Sequence, residues 1–142
     1  MLENENLIDV FKRSLATTTK SIGRTQDAEI NFVTEHPSIN GKEINLSLPS
    51  FSSLKTDLNY IRGEADAMAL ELRLHNSKIH LKYLGSNNTV NQIFNVIEQS
   101  RVEAMGSLIF QGIKSNIFKK HNIDINEKIS KENNNNLIDA FK

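Results

Sequence analysis

Cysteine is absent from the sequence. This absence excludes a disulfide framework, a thiolate metal site, a zinc ribbon and a cysteine nucleophile, and it is compatible with a cytoplasmic location. No apolar run approaches the roughly 18 residues that a membrane span needs. The opening residues, MLENENLIDV, lack the basic start and the continuous apolar stretch of a signal peptide. We therefore expect a protein without a membrane segment.

An excess of charge of either sign is also missing, because 17 Lys plus Arg residues balance 17 Asp plus Glu residues. Without a global positive field, nucleic acid and anionic membranes are not expected partners. The sequence contains no GxGxxG string, P-loop, nucleophile elbow or internal repeat. What is present is a chain of 142 residues, 38% of them hydrophobic, which is enough for one domain with its own core.

The first half of the chain predicts one helix and two strands. Apolar residues recur at steps of three and four over about residues 4–22, which predicts an amphipathic helix. Apolar and polar residues alternate over 28–33 and 43–48, which predicts two half-buried strands. The Asn40-Gly41 pair between them is typical of a turn. We therefore expect a hairpin between these strands, with a loop longer than the tightest type.

The second half predicts mostly helix. A core helix is expected over about 53–75, and the segment KIHLKYL (78–84) has the composition of a third strand. A long helix is expected from 89 to about 121. Its predicted apolar face comprises Val90, Ile93, Ile97, Ala104, Leu108, Ile113, Ile117 and Phe118. The predicted fold class is helix-dominated α+β with two long packed helices, and the main competitor is an all-helical fold.

The predicted domain covers residues 1–121, and the Asn-rich residues 122–142 are expected to be a weakly ordered tail. Gly63 and Gly106 interrupt predicted helices, where each costs about 1 kcal/mol relative to Ala. Close approach of another helix at both glycines would explain their presence.

The segment RGEADAMALELRLHNSKIH, residues 62–80, carries more polar chemistry than a core helix requires. Arg62 and Asp66 are four residues apart on one helix face, and His75 and His80 follow where the helix ends. Two imidazoles and a carboxylate can bind a divalent metal ion if the chain folds back there. The alternative is an exposed Arg62–Asp66 pair, worth about 0.3–0.5 kcal/mol, with histidines at the surface or capping carbonyls. The five-residue step between the histidines favours this alternative, because a helical metal pair is spaced i, i+4.

A second polar segment, EQSRVEAMG at residues 98–106, places Arg101 on the predicted apolar stripe between Ile97 and Ala104. An unpaired buried guanidinium costs several kcal/mol, so a carboxylate partner is expected. The candidate partners are Glu98, Glu103 and Asp66. One interpretation is a buried link that fixes how two helices register. The other is a polar cluster that contacts a partner subunit or a metal ion.

These segments also carry a family resemblance. The strings RGEADAMALELRLHNSKIH, IFNVIEQSRVEAMG and IFQGIKSN resemble, in this order, the N-terminal region of the T subunit, CobT, of the aerobic ATP-dependent cobaltochelatase. The string FKRSLATTTKSIG is similar to the first helix of that family. The resemblance covers about residues 8–118 and rests on several separated motifs.

The resemblance implies a role in cobalamin biosynthesis, in which Co²⁺ is inserted into hydrogenobyrinic acid a,c-diamide with ATP hydrolysis. In that family the T subunit forms rings with the AAA+ ATPase subunit, CobS, and these act on the large corrin-binding subunit, CobN. The complex, a ligase that forms nitrogen–metal bonds, uses ATP, Mg²⁺ and Co²⁺. The T subunit has no P-loop, so no self-contained catalytic site and no cofactor of its own are expected in this chain. A homo-oligomer is compatible with the same resemblance.

The sequence departs from the family pattern in one respect. The family continues through an acidic linker into a von Willebrand factor A domain with a DxSxS-type Mg²⁺ motif, and no DxSxS string occurs here. A fragment, a truncated product or a free-standing relative of the N-terminal domain would each have this pattern. The expected role is assembly of the chelatase.

Seven residues of the matching motifs are the candidates for partner contact: Arg62, Asp66, His75, His80, Glu98, Arg101 and Glu103. Two alternatives stay open. In the first, a metal-handling domain binds a divalent ion through His75, His80, Glu98 and Glu103, which requires the histidines to approach the long helix. In the second, the chain is an interaction module that binds another protein without chelatase activity.

Overall fold

The computed structural model describes residues 2–50 and 58–140, with side chains over 6–50 and 58–132. The described residues form five helices and a small three-stranded mixed sheet, and helix predominates. The elements are α1 (Leu2–Gly23), β1 (Glu29–Val33), β2 (Ser38–Asn40), β3 (Glu43–Ser47), α2 (Leu58–Leu74), α3 (Ser77–Tyr83), α4 (Asn88–Ile109) and α5 (Gln111–Ala140). This confirms the helix-dominated α+β prediction. The predicted start of the core helix at residue 53 lies outside the described residues.

The sheet has the order β1-β3-β2, with β1 parallel and β2 antiparallel to β3. The prediction of a hairpin between 28–33 and 43–48 was therefore wrong, because these two segments pair in parallel. The hairpin partner of β3 is the three-residue strand β2, which has one apolar residue and so too little pattern to be recognised. Asn40 pairs with Glu43 across a two-residue loop, and Gly41 has a φ of 63° there, which only glycine adopts without strain.

The sheet packs against α1 and α2 through a first hydrophobic core. Alternation along β3 turns Ile44 and Leu46 inward, where both are fully buried. They lie against Leu15 of α1 and against Ile61, Ala65 and Met68 of α2. The alternating pattern of the sequence thus identified the buried face of the sheet, although not its topology.

A second core lies between α2 and the last two helices. It contains Leu70, Val102, Ile113 and Ile117, one from α2, one from α4 and two from α5. A Cβ added at Gly63 would lie 2.5 Å from the main-chain oxygen of Asn116, and one added at Gly106 would lie 2.2 Å from Leu70 Cδ1. Both predicted close approaches are confirmed. Helix α2 is therefore the central helix, with a core on each side.

The predicted third strand over 78–84 was wrong, because this segment forms the short helix α3. Asn76 caps the helix by accepting a hydrogen bond from Ile79 N–H at 3.1 Å. The apolar residues that gave this segment its strand-like composition, Ile79, Leu81 and Tyr83, are 54–73% exposed. A strand-like composition favours a strand only where the segment can pack beside other strands, and in the described parts of the chain the sheet consists of β1, β3 and β2 alone.

The predicted long helix is divided in two at Phe110, which has extended backbone angles. Helix α5 then runs without interruption to Ala140. The predicted boundary between residues 121 and 122 falls inside α5, and the division of the chain into a domain and a tail stays a prediction. Over the two described ranges, none of the helices is apolar over a length sufficient to cross a membrane.

Of the predicted apolar face of the long helix, Ile113 and Ile117 of α5 are in the core, whereas Phe118 of the same helix is 66% exposed and was predicted wrongly. In α4 the prediction was wrong, since Val90, Ile93, Ile97 and Leu108 are 55–88% exposed. The residues that α4 buries are Val102, Glu103 and Gly106, on the opposite side. Gly106 explains this choice, because the missing side chain lets α2 approach that side closely.

Candidate functional site: a polar cleft between three helices

A cleft of about 350 Å³ lies between α2, α3 and α4, with one residue from α5 and one from the loop before β2. Its polar lining residues are Glu64, Glu71, His75, His80, Asn95, Glu98, Gln99, Glu103 and Lys120. Four of these are carboxylates, and Lys120 is paired with Asp124 at 2.8 Å. The cleft therefore has an acidic lining, and a cationic or hydrogen-bonding ligand suits its chemistry.

Glu98 is the centre of the hydrogen-bond network in the cleft. His75 at the end of α2 contacts it with Nδ1 at 2.9 Å from Oε1. Arg101 donates to both of its oxygens, from Nε and from Nη2, each at 2.7 Å. The hydrogen bonds from Arg101 and His75 lower the pKa of the Glu98 carboxyl from 4.5 to about 2. Glu98 is therefore a carboxylate at any physiological pH.

The prediction that Arg101 is buried on the apolar stripe was wrong, since its side chain is 44% exposed. Its expected pairing with Glu98 is present. Arg101 Nη2 also donates to the main-chain oxygen of Leu74 at 3.1 Å, the last residue of α2. Because a guanidinium has several donors in a fixed plane, one side chain holds both Glu98 and the end of α2. This link sets the distance between α2 and α4.

His80 of α3 forms the other wall of the cleft. Its Nε2 lies 2.7 Å from Asn95 Oδ1 of α4, and its ring is stacked on Phe94 with centroids 4.6 Å apart. The rings of His75 and His80 meet edge to face at 4.9 Å. The five-residue step between the two histidines, which a single helix would not place on one face, brings them together because the chain turns between α2 and α3.

Glu103 lies deeper and is 7% exposed. It accepts a hydrogen bond from Gln99 Nε2 at 3.0 Å, and His121 Nε2 of α5 lies 2.6 Å from its other oxygen. Glu103 was one of the predicted partners of Arg101. Its partner in the structure is His121. The contact joins α4 to α5, just as His75 joins α2 to α4.

The four predicted metal ligands are thus divided between two networks. His75, His80 and Glu98 come together, and Glu103 is held by His121 and Gln99. Across the described parts of the chain, no group of three or more His, Asp or Glu side chains has the arrangement of a metal site. The approach of the histidines to α4 that the metal hypothesis required is present, and metal binding itself stays a prediction.

Arg62 and Asp66 do not line the cleft. Asp66 is 6% exposed and accepts a hydrogen bond from Asn116 Nδ2 of α5 at 2.8 Å. Burial raises the pKa of its carboxyl. Arg62 lies with its guanidinium 5.7 Å from the ring centroid of Phe11 of α1. The predicted exposed Arg62–Asp66 ion pair was therefore wrong, and the two residues point to different neighbouring helices.

Sequence reasoning missed several residues of the site, including Glu64, Glu71, Asn95, Lys120 and His121. Glu64 accepts a hydrogen bond from the main-chain N–H of Ser47 at 3.2 Å, which ties α2 to the sheet. His121 is 18 residues from its partner, and only the break at Phe110 brings the two together. No local spacing signals such a pair. The position of Glu64, one helical turn before the apolar residue Met68, could have indicated that its side chain lies on the buried face of α2.

The arrangement defines a small helix-dominated α+β domain with a polar cleft that side-chain networks hold in place. The chain matches the family described as cobalamin biosynthesis protein CobT over residues 5–137. No solved structure matches the chain. Because the match covers nearly all of the sequence, the chain belongs to the CobT family, whose members take part in cobalamin biosynthesis. The match extends beyond residue 121, into the Asn-rich residues that were predicted to form a tail.

Proposed function

We propose that this domain is a non-ATPase subunit, or the N-terminal part of one, in the cobaltochelatase that inserts Co²⁺ into hydrogenobyrinic acid a,c-diamide. Membership of the CobT family carries this proposal. In it, the domain works in the cytoplasm in a complex with the AAA+ subunit CobS and the large corrin-binding subunit CobN. Its own task is assembly, and the corrin ring and the ATP are bound by the other subunits.

The polar cleft is the proposed contact for the ATPase subunit. Its carboxylates are set on helices whose distances are fixed by the Arg101 and His121 contacts, so their positions are defined before a partner binds. Glu71, the exposed carboxylate of the cleft, can attract a basic segment and speed its association. The predicted contact residues His75, His80, Glu98 and Glu103 all line the cleft. In this proposal, Arg62 and Asp66 support the packing behind it.

The first experiment measures complex formation by size-exclusion chromatography with light scattering. The chain is mixed with the AAA+ chelatase subunit of its own organism, with and without ATP. We expect a nucleotide-dependent complex and a change in ATPase turnover when the chain is added. Separate elution in every nucleotide state, together with unchanged turnover, would contradict the proposal.

A charge reversal tests whether the cleft is the contact surface. Glu71 is exposed at the cleft, and Glu132 is exposed on α5 away from it, so the two form a matched pair. We expect Glu71→Lys to weaken the complex about tenfold or more, and Glu132→Lys to leave it unchanged. Equal effects of both variants would show that the cleft is not the contact.

The alternative function, an interaction module without chelatase activity, is distinguished by a second measurement on the same mixture of the chain and the AAA+ subunit. Such a module would bind a partner without any change in ATP turnover or in cobalt insertion. Reconstituted cobalt insertion with and without the chain is therefore the decisive assay. We expect insertion to depend on the chain.

A further inference from the structure

A groove of about 500 Å³ lies between α3 and the first half of α4. It adjoins the polar cleft, with which it shares His80 and Glu98, but its lining is mainly apolar. The groove residues are Leu74, Asn76, Ile79, His80, Tyr83, Phe94, Glu98 and Arg101. A concave apolar surface of this size can take the side chains of a binding partner.

Helix α3 buries none of its 7 residues. Ile79 is 54% exposed and Tyr83 is 73% exposed, and both line the groove. Leu81 of the same helix is 65% exposed. Single exposed apolar residues are normal on a protein surface, whereas an exposed apolar cluster with polar neighbours is typical of an interaction site.

Acidic residues are absent from the segment that contains α3 and the first half of α4. Between Glu71 and Glu98 the sequence has no Asp or Glu, whereas Lys78 and Lys82 are exposed beside the groove residues of α3. Neither lysine forms an ion pair with any residue in the described parts of the chain. Within the groove, the charge of Glu98 is compensated by Arg101. The groove therefore has two uncompensated positive charges at its edge.

We propose that this groove binds an acidic amphipathic helix of a partner protein. The apolar side of that helix fills the groove between α3 and α4, and its acidic residues lie opposite Lys78 and Lys82. The inference goes beyond the chelatase role, because it concerns a separate surface beside the cleft, with charge of the opposite sign, and rests on the residues of that surface alone.

The two lysines determine which sign of charge the groove accepts. Uncompensated ammonium groups attract Asp and Glu side chains and disfavour a basic helix, so selectivity as well as attraction follows from them. The methylene groups of Lys78 and Lys82 can also cover apolar surface of the bound helix while the ammonium groups stay in water.

The exposed side of α4 sets the length of the bound helix. Val90 and Ile97 are four residues before and three residues after Phe94, on the same side of α4, and are 58% and 59% exposed. This side continues through Arg101 to Leu108, which is 88% exposed. From Phe94 to Leu108 the helix rises about 21 Å, or about four turns. A partner helix of about 15 residues that packs along α4 can therefore contact both the groove and Leu108.

The shape of the surface favours a protein helix over a lipid membrane. Ile79, Tyr83 and Phe94 line a groove, and the ridge of side chains on another helix fills a groove. A flat bilayer surface would contact the edges of the groove and leave its floor uncovered. Lys78 and Lys82 are also few, since basic segments that bind anionic lipids contain about four to eight Lys or Arg residues.

A synthetic helical peptide tests the proposal. It has about 16 residues, with Leu at steps of three and four on one side, Glu at the flanking positions and a fluorescent label. We expect it to bind the chain with a Kd of about 100 µM or lower, measured by fluorescence anisotropy. A matched peptide with Lys in place of Glu should bind about tenfold more weakly or not at all. A third peptide, with Ala in place of Leu, should not bind.

Variants of the chain locate the binding site. Tyr83→Ser should weaken binding of the acidic peptide about tenfold or more. Lys78→Glu combined with Lys82→Glu should reverse the preference, so that the Lys-containing peptide binds more tightly. The control combines Lys114→Glu with Lys128→Glu, which change the net charge equally at exposed positions of α5 outside the groove and should leave binding unchanged. Circular dichroism shows whether each variant is folded.

Three results would overturn the proposal. The first is no binding of the acidic peptide at chain concentrations up to about 1 mM. The second is equal binding of the acidic and basic peptides, or binding that the α3 variants do not change. The third is a chain that ignores the peptide but binds phosphatidylserine vesicles through the α3 lysines, which would assign α3 to a lipid surface. None of these measurements contains the AAA+ subunit, so their outcome is independent of the test of the chelatase role.

Discussion

Gly63 of α2 lies directly beneath the main-chain oxygen of Asn116 of α5. A Cβ at position 63 would be 2.5 Å from that oxygen and 2.7 Å from the Cβ of Lys120. Because the obstacle is backbone, no side-chain rotation relieves it. The contact fixes how closely the two helices pack.

We expect Gly63→Ala to lower the free energy of unfolding by about 1–3 kcal/mol, even though alanine favours helix by about 1 kcal/mol. The control is Gly112→Ala, since an added Cβ there meets nothing within 4 Å. That variant should be neutral or more stable by up to about 1 kcal/mol. Urea unfolding measures both, and equal stabilisation by the two alanines would contradict the close packing at Gly63.

Asp66 should make stability depend on pH. Its folded-state pKa is raised from 3.8, mainly by burial, so the folded state holds the proton more tightly than the unfolded state. Its contribution to stability is fully present below about pH 3.8 and is lost as the pH rises through the raised folded-state pKa.

The isosteric variant Asp66→Asn has no such titration, and its amide oxygen can still accept from Asn116. We expect the variant and the wild type to be similar near pH 3.5 and the variant to gain relative stability as the pH rises towards 7. Urea unfolding at several pH values measures the difference. The exposed variant Asp9→Asn controls for net charge, and the same pH trend in both variants would count against the buried carboxyl.

Glu98 should have the opposite pH dependence. Its folded-state pKa is lowered from 4.5 to about 2, first by the Arg101 hydrogen bonds and then by His75. Its stabilisation is present above about pH 4.5 and is lost as the pH falls through about 2.

At pH 7 we expect Glu98→Gln to lose about 1 kcal/mol, a modest figure because the Arg101 side chain is 44% exposed and solvent screens the pair. The loss should shrink as the pH falls below 4.5. Glu71→Gln in the same cleft should stay within about 0.5 kcal/mol of the wild type. A loss in Glu98→Gln that is constant from pH 7 to pH 2 would exclude the charged network as its cause.

Tyr60 offers a spectroscopic test of the contact between α2 and α5. Burial, and then the charge and hydrogen bond of Asp124, raise its pKa to about 12. The sequence has 2 tyrosines, so Tyr83→Phe leaves Tyr60 as the single reporter. Tyrosinate absorbance should then rise with a midpoint near pH 12, and Asp124→Asn should lower that midpoint. A midpoint near 10 in the folded protein would contradict this environment.

The sequence predicted what depends on local patterns. The alternation of Ile44 with Leu46 gave the buried face of β3, and the interrupting glycines gave the close contacts of α2. The parallel pairing of β1 with β3 could not be predicted from local patterns. The antiparallel neighbour of β3 is β2, a three-residue strand with a single apolar residue that the pattern does not reveal. The segment at Ile79 has a strand-like composition, but the Asn76 side chain caps a helix there.

The site was predicted in part for the same reason. His75, His80 and Glu98 come from the two recognised segments, and the structure brings them together. The partner of Glu103 could not be predicted, since His121 reaches it only across the break at Phe110. The exposure of Arg101 could not be predicted from local sequence either. Helix α4 buries the side that contains Gly106 and leaves its more apolar side exposed.

Helix α5 gives the Gly63 contact a consequence at long range. From Asn116 to Ala140 the helix extends about 36 Å at 1.5 Å per residue. A change of about 10° in its direction at the contact would displace the far end by about 6 Å over that length. The absence of a side chain at Gly63 of α2 thus determines the position of the C-terminal end of α5. The position of any surface that this end contacts depends on Gly63 as well.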